Sequence, residues 1–391
     1  MKILHVIYSL DPARGGPPAV AARLAAAQAM RGHQVTLLSH AAPTRQQAIA
    51  QALRNVPHLE KVTLSHLPPA EGLSRAILVY GRRQLQQAVA AADVVHIHGV
   101  WEPILPAAAS AARARGVPYV VRPAGMLDPW SMQQKRWKKF LAMALVYRRM
   151  LNGAAFLHTL NRDEEQLVRP LGLQCPVKVI PNGVFFEELE PLPTAGTFYQ
   201  QHPELQGRPF VLFLSRLHYK KGLDYLADAF AIVAAAEPEV QLVVAGPDGG
   251  DLARFTELIE QSKIRPRTHL VGPLYGTDKL AALVDATCFC LPSRQEGFSV
   301  AITEALACGV PVVASDACHF PEIAGAGAGY VVVLEPQAIA AALLKVVGDA
   351  GLRQQMGKAG RALIESRFTW DKIAEQTLAA YTQAPGSSRA S

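Results

Sequence analysis

Short apolar runs recur along this chain, with longer amphipathic stretches between them. In the first half they read KILHVI, QVTLLS, KVTLSHL, DVVHIH, PYVVRP, AFLHTL and VKVIP. Helix candidates such as PPAVAARLAAAQAMRG and RDEEQLVRPLG lie between them. The runs are continuous and rich in β-branched residues instead of alternating with polar ones. That pattern predicts strands covered on both faces, hence a parallel sheet. Near residue 190 the texture changes. FEELEPLPTAGTFYQQHPELQGRP is rich in Pro, Gly and polar residues and reads as a linker. The strand pattern then restarts with PFVLFLS, VQLVVAG, THLVG, ATCFCLP, VPVVAS and GYVVVL. A last helix candidate, TWDKIAEQTLAAYTQ, precedes a small polar tail, residues 385–391, that reads as disordered.

Two successive βα arrays predict an α/β chain of two Rossmann-like, doubly wound parallel-sheet domains facing each other across a cleft. The boundaries expected are 1–190 and 191–369. A length of 391 residues, half of them apolar, suits two cores better than one. Ligands of such sheets bind beyond the C-terminal strand ends, so chemistry should sit just after strands.

Composition narrows the class. No apolar run approaches the ~18 residues of a membrane span. The opening MKILHVIYSL lacks a small-residue cleavage site and reads as a buried first strand, not a signal peptide. The five cysteines form no CxxC pair and read as small apolar residues in a reducing compartment, which points to the cytoplasm. Charge is uneven. Residues 1–190 carry 22 Lys and Arg against 12 Asp and Glu, and the remainder carries 17 against 20. A basic first half attracts nucleic acid, a membrane surface or a phosphorylated substrate, or merely solvates a surface.

Several motifs follow strands. Gly15 and Gly16, in SLDPARGGPPAV, stand between a strand and a helix, where the backbone can approach an anion closely; a plain tight turn is the alternative. GxGxxG is absent, and the second strand ends without an acid for a ribose, which argues against a dehydrogenase. In FVLFLSRLHYKKGLDYL, Arg216 follows a strand end and Lys221 precedes Gly222 at a helix mouth. A guanidinium and an ammonium there make a diphosphate clamp. No DxD occurs in the chain, so fixed cations, not a divalent ion, would neutralise a leaving diphosphate.

In SRQEGFSVAITEALACG, Glu296 lies at a strand's C-terminal mouth and Glu304 sits about two turns along an apolar helix. Carboxylates accept from vicinal diols, so this pair could grip two sugars; structural pairing of Glu304 is the alternative. The helix start at Gly297, Phe298 and Ser299 offers free N–H groups to hydroxyls or phosphate. Residues 129–162 contain no acid. They carry Trp130, Lys135, Arg136, Trp137, Lys138 and Lys139, a basic amphipathic stretch that reads as an element for an anionic membrane surface or as a solvated helix face. No nucleic-acid recognition module accompanies it.

The Glu-x7-Glu spacing, taken in order with SRLHYKKG, IPNGV and ALACGVPVVAS, resembles glycosyltransferase family 4, a large retaining family of GT-B fold, over nearly the whole chain. The resemblance implies that Arg216 and Lys221 bind the donor diphosphate, that Glu296 holds the donor sugar hydroxyls, and that Glu304 holds the ribose. It implies Gly16 beside the diphosphate and a backbone segment, 269–274 around Val271, that reads the base. It further implies metal independence and a last helix, within 370–384, that crosses back to the first domain. Resembling enzymes carry HxH where HIH stands here, and His98 ends its strand. His98 is expected to contact donor or acceptor, or to be a core histidine. His96 and His98 alone are too few for a metal site. The chain departs from the family at Ala124, where relatives often carry histidine, and Arg122 is the candidate to compensate on the acceptor side. GMLDPW resembles a subgroup that builds surface polysaccharides.

The expectation is therefore a retaining, metal-independent hexosyltransferase with no cofactor. It would use a UDP- or GDP-sugar and a glycan acceptor, lipid-linked, at the inner face of a membrane. Alternatives are a GT-B epimerase or hydrolase, a phosphorylase with pyridoxal phosphate, and a non-catalytic nucleotide-binding protein at a membrane surface.

Overall fold

The computed structural model describes residues 1–11, 16–68, 81–128, 132, 136–205 and 207–383. The chain divides into two compact units. One comprises Met1–Asn182 with the C-terminal segment from Trp370; the other is Gly183–Thr369.

The first unit is built on a seven-stranded sheet. Its strands are β1 (Lys2–Ile7), β2 (Gln34–His40), β3 (Val62–Leu67), β4 (Val94–His98), β5 (Tyr119–Arg122), β6 (Phe156–Thr159) and β7 (Val177–Val179). They run in the order β3-β2-β1-β4-β5-β6-β7, with every neighbouring pair parallel. Each expected strand run is a strand, and the continuous Val/Ile/Leu runs have the predicted cause: β4 and β5 are buried along their whole length. The order reverses between β1 and β4, so the loops leaving those two strands diverge and open a site above them.

The second unit carries a six-stranded parallel sheet. Its strands are β8 (Phe210–Leu214), β9 (Gln241–Ala245), β10 (Thr268–Gly272), β11 (Cys288–Leu291), β12 (Val312–Ser315) and β13 (Gly329–Val332). The order is β10-β9-β8-β11-β12-β13, with its switch between β8 and β11.

Composition misled at one point. The Pro- and Gly-rich stretch expected to be a linker packs as part of the second unit: Leu189, Phe198 and Leu205 are buried in its core. Asp285 accepts hydrogen bonds from the amides of Gly196 (2.6 Å) and Phe198 (2.8 Å), which tie the stretch to the helix Gly276–Asp285. Full burial of Phe198 is worth about 2–3 kcal/mol, enough to offset the ordering of a few residues. The division between units therefore falls at Asn182, ahead of residue 190.

The C-terminal helix Trp370–Thr382 belongs to the first unit. Trp370, Ile373, Ala374, Thr377 and Tyr381 form its buried stripe. It packs on the helix Gly16–Met30, and Arg31 pairs with Asp371 at 2.6 Å. All five cysteines are free thiols. No described helix is long and apolar enough to cross a membrane.

Candidate functional site

The second unit gathers its polar side chains at the switch between β8 and β11. Arg216 lies two residues past β8. It is exposed, and it has no ion-pair or hydrogen-bond partner among the described residues. Gly222 takes φ +68°, and a Cβ there would stand 1.9 Å from the carbonyl oxygen of Pro292. Only glycine lets the turn after β8 approach the turn after β11 so closely. That approach brings Lys221 onto Glu296 as an ion pair, with side chains 17% and 9% exposed. Ser293 donates to the same Glu296 oxygen at 2.7 Å, and the Glu296 amide donates to the Ala317 carbonyl at 3.1 Å. Glu296 therefore keeps one carboxylate oxygen uncommitted to either partner.

Glu304 lies in the helix Val300–Ala307, and its Oε1 pairs with Lys279 Nζ at 2.7 Å. The sequence reading missed Lys279, because nothing in the spacing of a lysine 25 residues away marks it as a partner. Ser299 caps this helix, its Oγ accepting from the Ile302 amide at 3.4 Å. Phe298 is committed to packing, with ring centres 5.4 Å from Phe320 and 6.2 Å from Phe368. What the segment Gly297–Ser299 can offer a ligand is thus its backbone. Val271 is the extra residue where the register of β10 against β9 shifts between Leu270 and Gly272, so its peptide groups stand outside the ladder. Arg294, not expected from the sequence, pairs with Asp224 at 2.8 Å and lies 4.1 Å over the Tyr219 ring, bracing the turn that carries Lys221.

The first unit contributes a buried basic cluster at its own switch point. His98 ends β4, is 5% exposed, and stacks on His96 with ring centres 4.6 Å apart. His5 on β1 joins them through His98 Nε2, 2.8 Å from His5 Nδ1. Burial holds His96, His98 and His158 well below the usual histidine range and brings His5 down to about 4. All four are neutral near pH 7. Arg122 ends β5, is buried, and donates to Asn182; burial lowers its guanidinium to about 10. Glu164 is also buried, and burial raises its carboxyl. It accepts from the amides of Gly125 (2.6 Å) and Leu160 (2.7 Å), and so anchors the loop in which Ala124 takes φ +50°.

Gly16 opens its helix, exposed, with nothing within 4 Å of where a Cβ would stand. Gly15, Trp130 and Lys135 lie outside the described residues, as do the side chains of Arg136 and Lys138. Lys139 lies 4.9 Å over the Trp101 ring. In the basic stretch, Trp137, Phe140, Leu141 and Leu145 are 68%, 74%, 51% and 71% exposed, while Met143, Tyr147 and Met150 face the core. Among the described residues no shared partner links this stretch to Arg122.

Residues 15–183 match the model of the glycosyl transferase 4-like domain, and residues 197–363 match that of glycosyl transferases group 1. Alpha-maltose-1-phosphate synthase of Mycolicibacterium smegmatis is 30% identical over 315 residues, which is 74% of this chain and 79% of its own. The chain belongs to glycosyltransferase family 4. The phosphatidyl-myo-inositol mannosyltransferase of Mycobacterium tuberculosis is 30% identical over 53% of this chain and 54% of its own. Among solved structures, HepE of Anabaena in complex with UDP and glucose superposes with a TM-score of 0.76 at 19% identity, covering 98% of this chain and 99% of HepE. Sucrose-phosphate synthase of Thermosynechococcus elongatus gives 0.72 at 20%, covering 98% of each chain. The two parallel-sheet units of this glycosyltransferase thus match the two domains of the GT-B fold.

Proposed function

We propose that this glycosyltransferase moves a hexose from a UDP- or GDP-sugar to a lipid-linked glycan, with retention and without a metal ion or cofactor. The observation that carries the reading is Arg216: an exposed guanidinium two residues past β8, without a partner among the described residues, in the turn that also leads to the Lys221–Glu296 pair. A diphosphate supplies the counter-charge that Arg216 lacks. As the bond to the sugar breaks, charge grows on the diphosphate, and Arg216 with the Lys221 ammonium stabilises it. Lys221 has three N–H donors, so it serves Glu296 and a phosphate oxygen together. Glu296 accepts from sugar hydroxyls with its uncommitted oxygen. Glu304, steadied by Lys279, accepts from the ribose diol, and the unladdered peptide groups at Val271 meet the base. The backbone of Phe298 and Ser299, at the start of the helix that carries Glu304, faces the donor in this reading. One relative named for GDP-mannose, a mannosyltransferase of Corynebacterium glutamicum, and neighbours crystallised with UDP or UDP-glucose support a nucleoside-diphosphate donor.

The exposed apolar side Trp137–Leu145, on a stretch free of acids, fits an anionic membrane surface and with it a lipid-linked acceptor at the inner face of a membrane. Trp130, Lys135, Arg136, Lys138 and Lys139 would join it, and Arg122 and His98 would serve the acceptor side.

The test is a thermal-shift screen of UDP-, GDP- and ADP-sugars with and without EDTA, followed by turnover with the stabilising donor. One nucleotide series should raise the melting temperature, and EDTA should leave turnover intact. No stabilisation by any nucleotide sugar, or turnover abolished by EDTA, would overturn the reading. Turnover that needs no acceptor would indicate a hydrolase or epimerase. Vesicles containing anionic lipid should bind the protein and release it at high salt, and equal binding to neutral vesicles would remove the membrane assignment.

A further inference from the structure

Five buried side chains of the first unit form one hydrogen-bonded chain. His98 Nε2 lies 2.8 Å from His5 Nδ1, and His5 Nε2 lies 2.7 Å from Gln28 Oε1. Gln28 Nε2 lies 3.2 Å from the Tyr381 hydroxyl, which lies 2.5 Å from His96 Nδ1. They come from β4, β1, the helix Gly16–Met30 and the C-terminal helix.

One group orients the whole chain of bonds. A carboxamide oxygen only accepts, so His5 Nε2 carries a proton and donates to Gln28. A neutral imidazole has a single N–H, so His5 Nδ1 is bare and accepts from His98 Nε2–H. The remaining nitrogen of His98, Nδ1, is then bare too. In the other direction, the Gln28 amide donates to the Tyr381 oxygen, the phenol proton goes to His96 Nδ1, and His96 carries its own proton on Nε2. Among the described residues, His98 Nδ1 and His96 Nε2, the two ends of the chain of bonds, are buried without a hydrogen-bond partner. Of these two, His98 is the last residue of β4, at the switch point, so its acceptor is the one placed to take a partner from outside the protein.

We infer that Gln28 and Tyr381 are positioning residues that hold His98 in its Nε2–H tautomer, so that Nδ1 accepts from a sugar hydroxyl. The ligand class follows from the tautomer: Nδ1 suits an O–H donor and repels the lone pairs of a phosphate or carboxylate oxygen. The hydroxyl contact rests on the glycosyltransferase reading; the tautomer does not.

His5, His96 and His98 also bring one nitrogen each within 4.8 Å of one another, the spacing of a metal site. Their rings, however, stack with interplanar angles of 7° between His96 and His98 and 24° between His5 and His98. Stacked rings direct their lone pairs side by side and not toward one centre, and both nitrogens of His5 are already engaged.

Nitrogen-15 NMR of the full-length, histidine-labelled protein reads each ring without any substrate. His5, His96 and His98 should all show protonated Nε2 and bare Nδ1. The reverse in all three, which a turned Gln28 amide would produce, overturns the assignment, as does Zn²⁺ shifting the three rings together. Tyr381→Phe should convert His98 to a mixture of tautomers, and an unchanged His98 signal would remove Tyr381 from the relay. For the hydroxyl contact, Asn places its amide where Nδ1 stands and Gln places it where Nε2 stands. His98→Asn should retain about tenfold more turnover than His98→Gln, the worth of one hydrogen bond. Equal losses would refute the hydroxyl contact while the spectra still decide the tautomer.

Discussion

Lys221 and Glu296 are ion-paired although 75 positions separate them, because Gly222 lets the turn after β8 meet Pro292 at the end of β11. The pair is mostly shielded from water. Removing one partner leaves a charge in a half-buried place, whereas removing both does not. Lys221→Ala should cost about 3 kcal/mol in stability, and the double variant Lys221→Ala/Glu296→Ala should cost less than the two single changes summed. Urea unfolding of the four proteins measures this; additive losses would show that the two side chains do not interact.

Arg216 is exposed and has no partner among the described residues, so Arg216→Ala should leave the unfolding free energy within about 0.5 kcal/mol of wild type. Its effect should fall on catalysis instead, with kcat lower by about 10²–10³-fold, as when one charge-stabilising donor is removed. Steady-state kinetics beside a melting curve separates the two. A stability loss without a kinetic one would place Arg216 in the fold and not in the chemistry.

Gly222→Ala should be among the more harmful single changes in the second unit. It puts a Cβ 1.9 Å from the Pro292 oxygen and asks alanine to hold φ +68°. A cost of about 3 kcal/mol or more follows from strain plus backbone displacement. Chemical denaturation gives the number, and nucleotide binding should weaken with it as Lys221 moves off Glu296. A near-neutral variant would mean the two turns part at little cost.

Acid should destabilise the first unit through its histidines. His5, His96, His98 and His158 all titrate below 6.5 when folded, His5 near 4, so between those pH values the unfolded chain holds more protons. Stability is then full above pH 6.5 and is lost as pH falls, with a slope approaching about 1.4 kcal/mol per pH unit for each histidine. Glu164, whose carboxyl is raised, works in the opposite sense, but it is one group against four. Melting temperatures measured from pH 7.5 to 5 test this, and a flat profile would show that the histidines ionise in place.

Periodicity carried most of the fold. The inner strands, β4 and β5 above all, were legible as continuous apolar runs, because a parallel strand buried on both faces admits few polar residues. Position after a strand marked Arg216, Lys221 and Glu296, since loops there face the ligand side of a doubly wound sheet. Glycine and proline density, by contrast, suggested a linker at 186–209, where Phe198 and Leu205 are core.

The sequence by itself determined which segments are buried and in what order the chemical groups arrive. The tertiary structure decided who meets whom: Lys279 with Glu304, His5 with His98, and Gln28 with Tyr381 across 353 positions. The physical reason is that hydrophobic spacing records how one element meets the core, while a hydrogen bond or ion pair depends on two elements whose mutual placement is set only when the sheet closes around both.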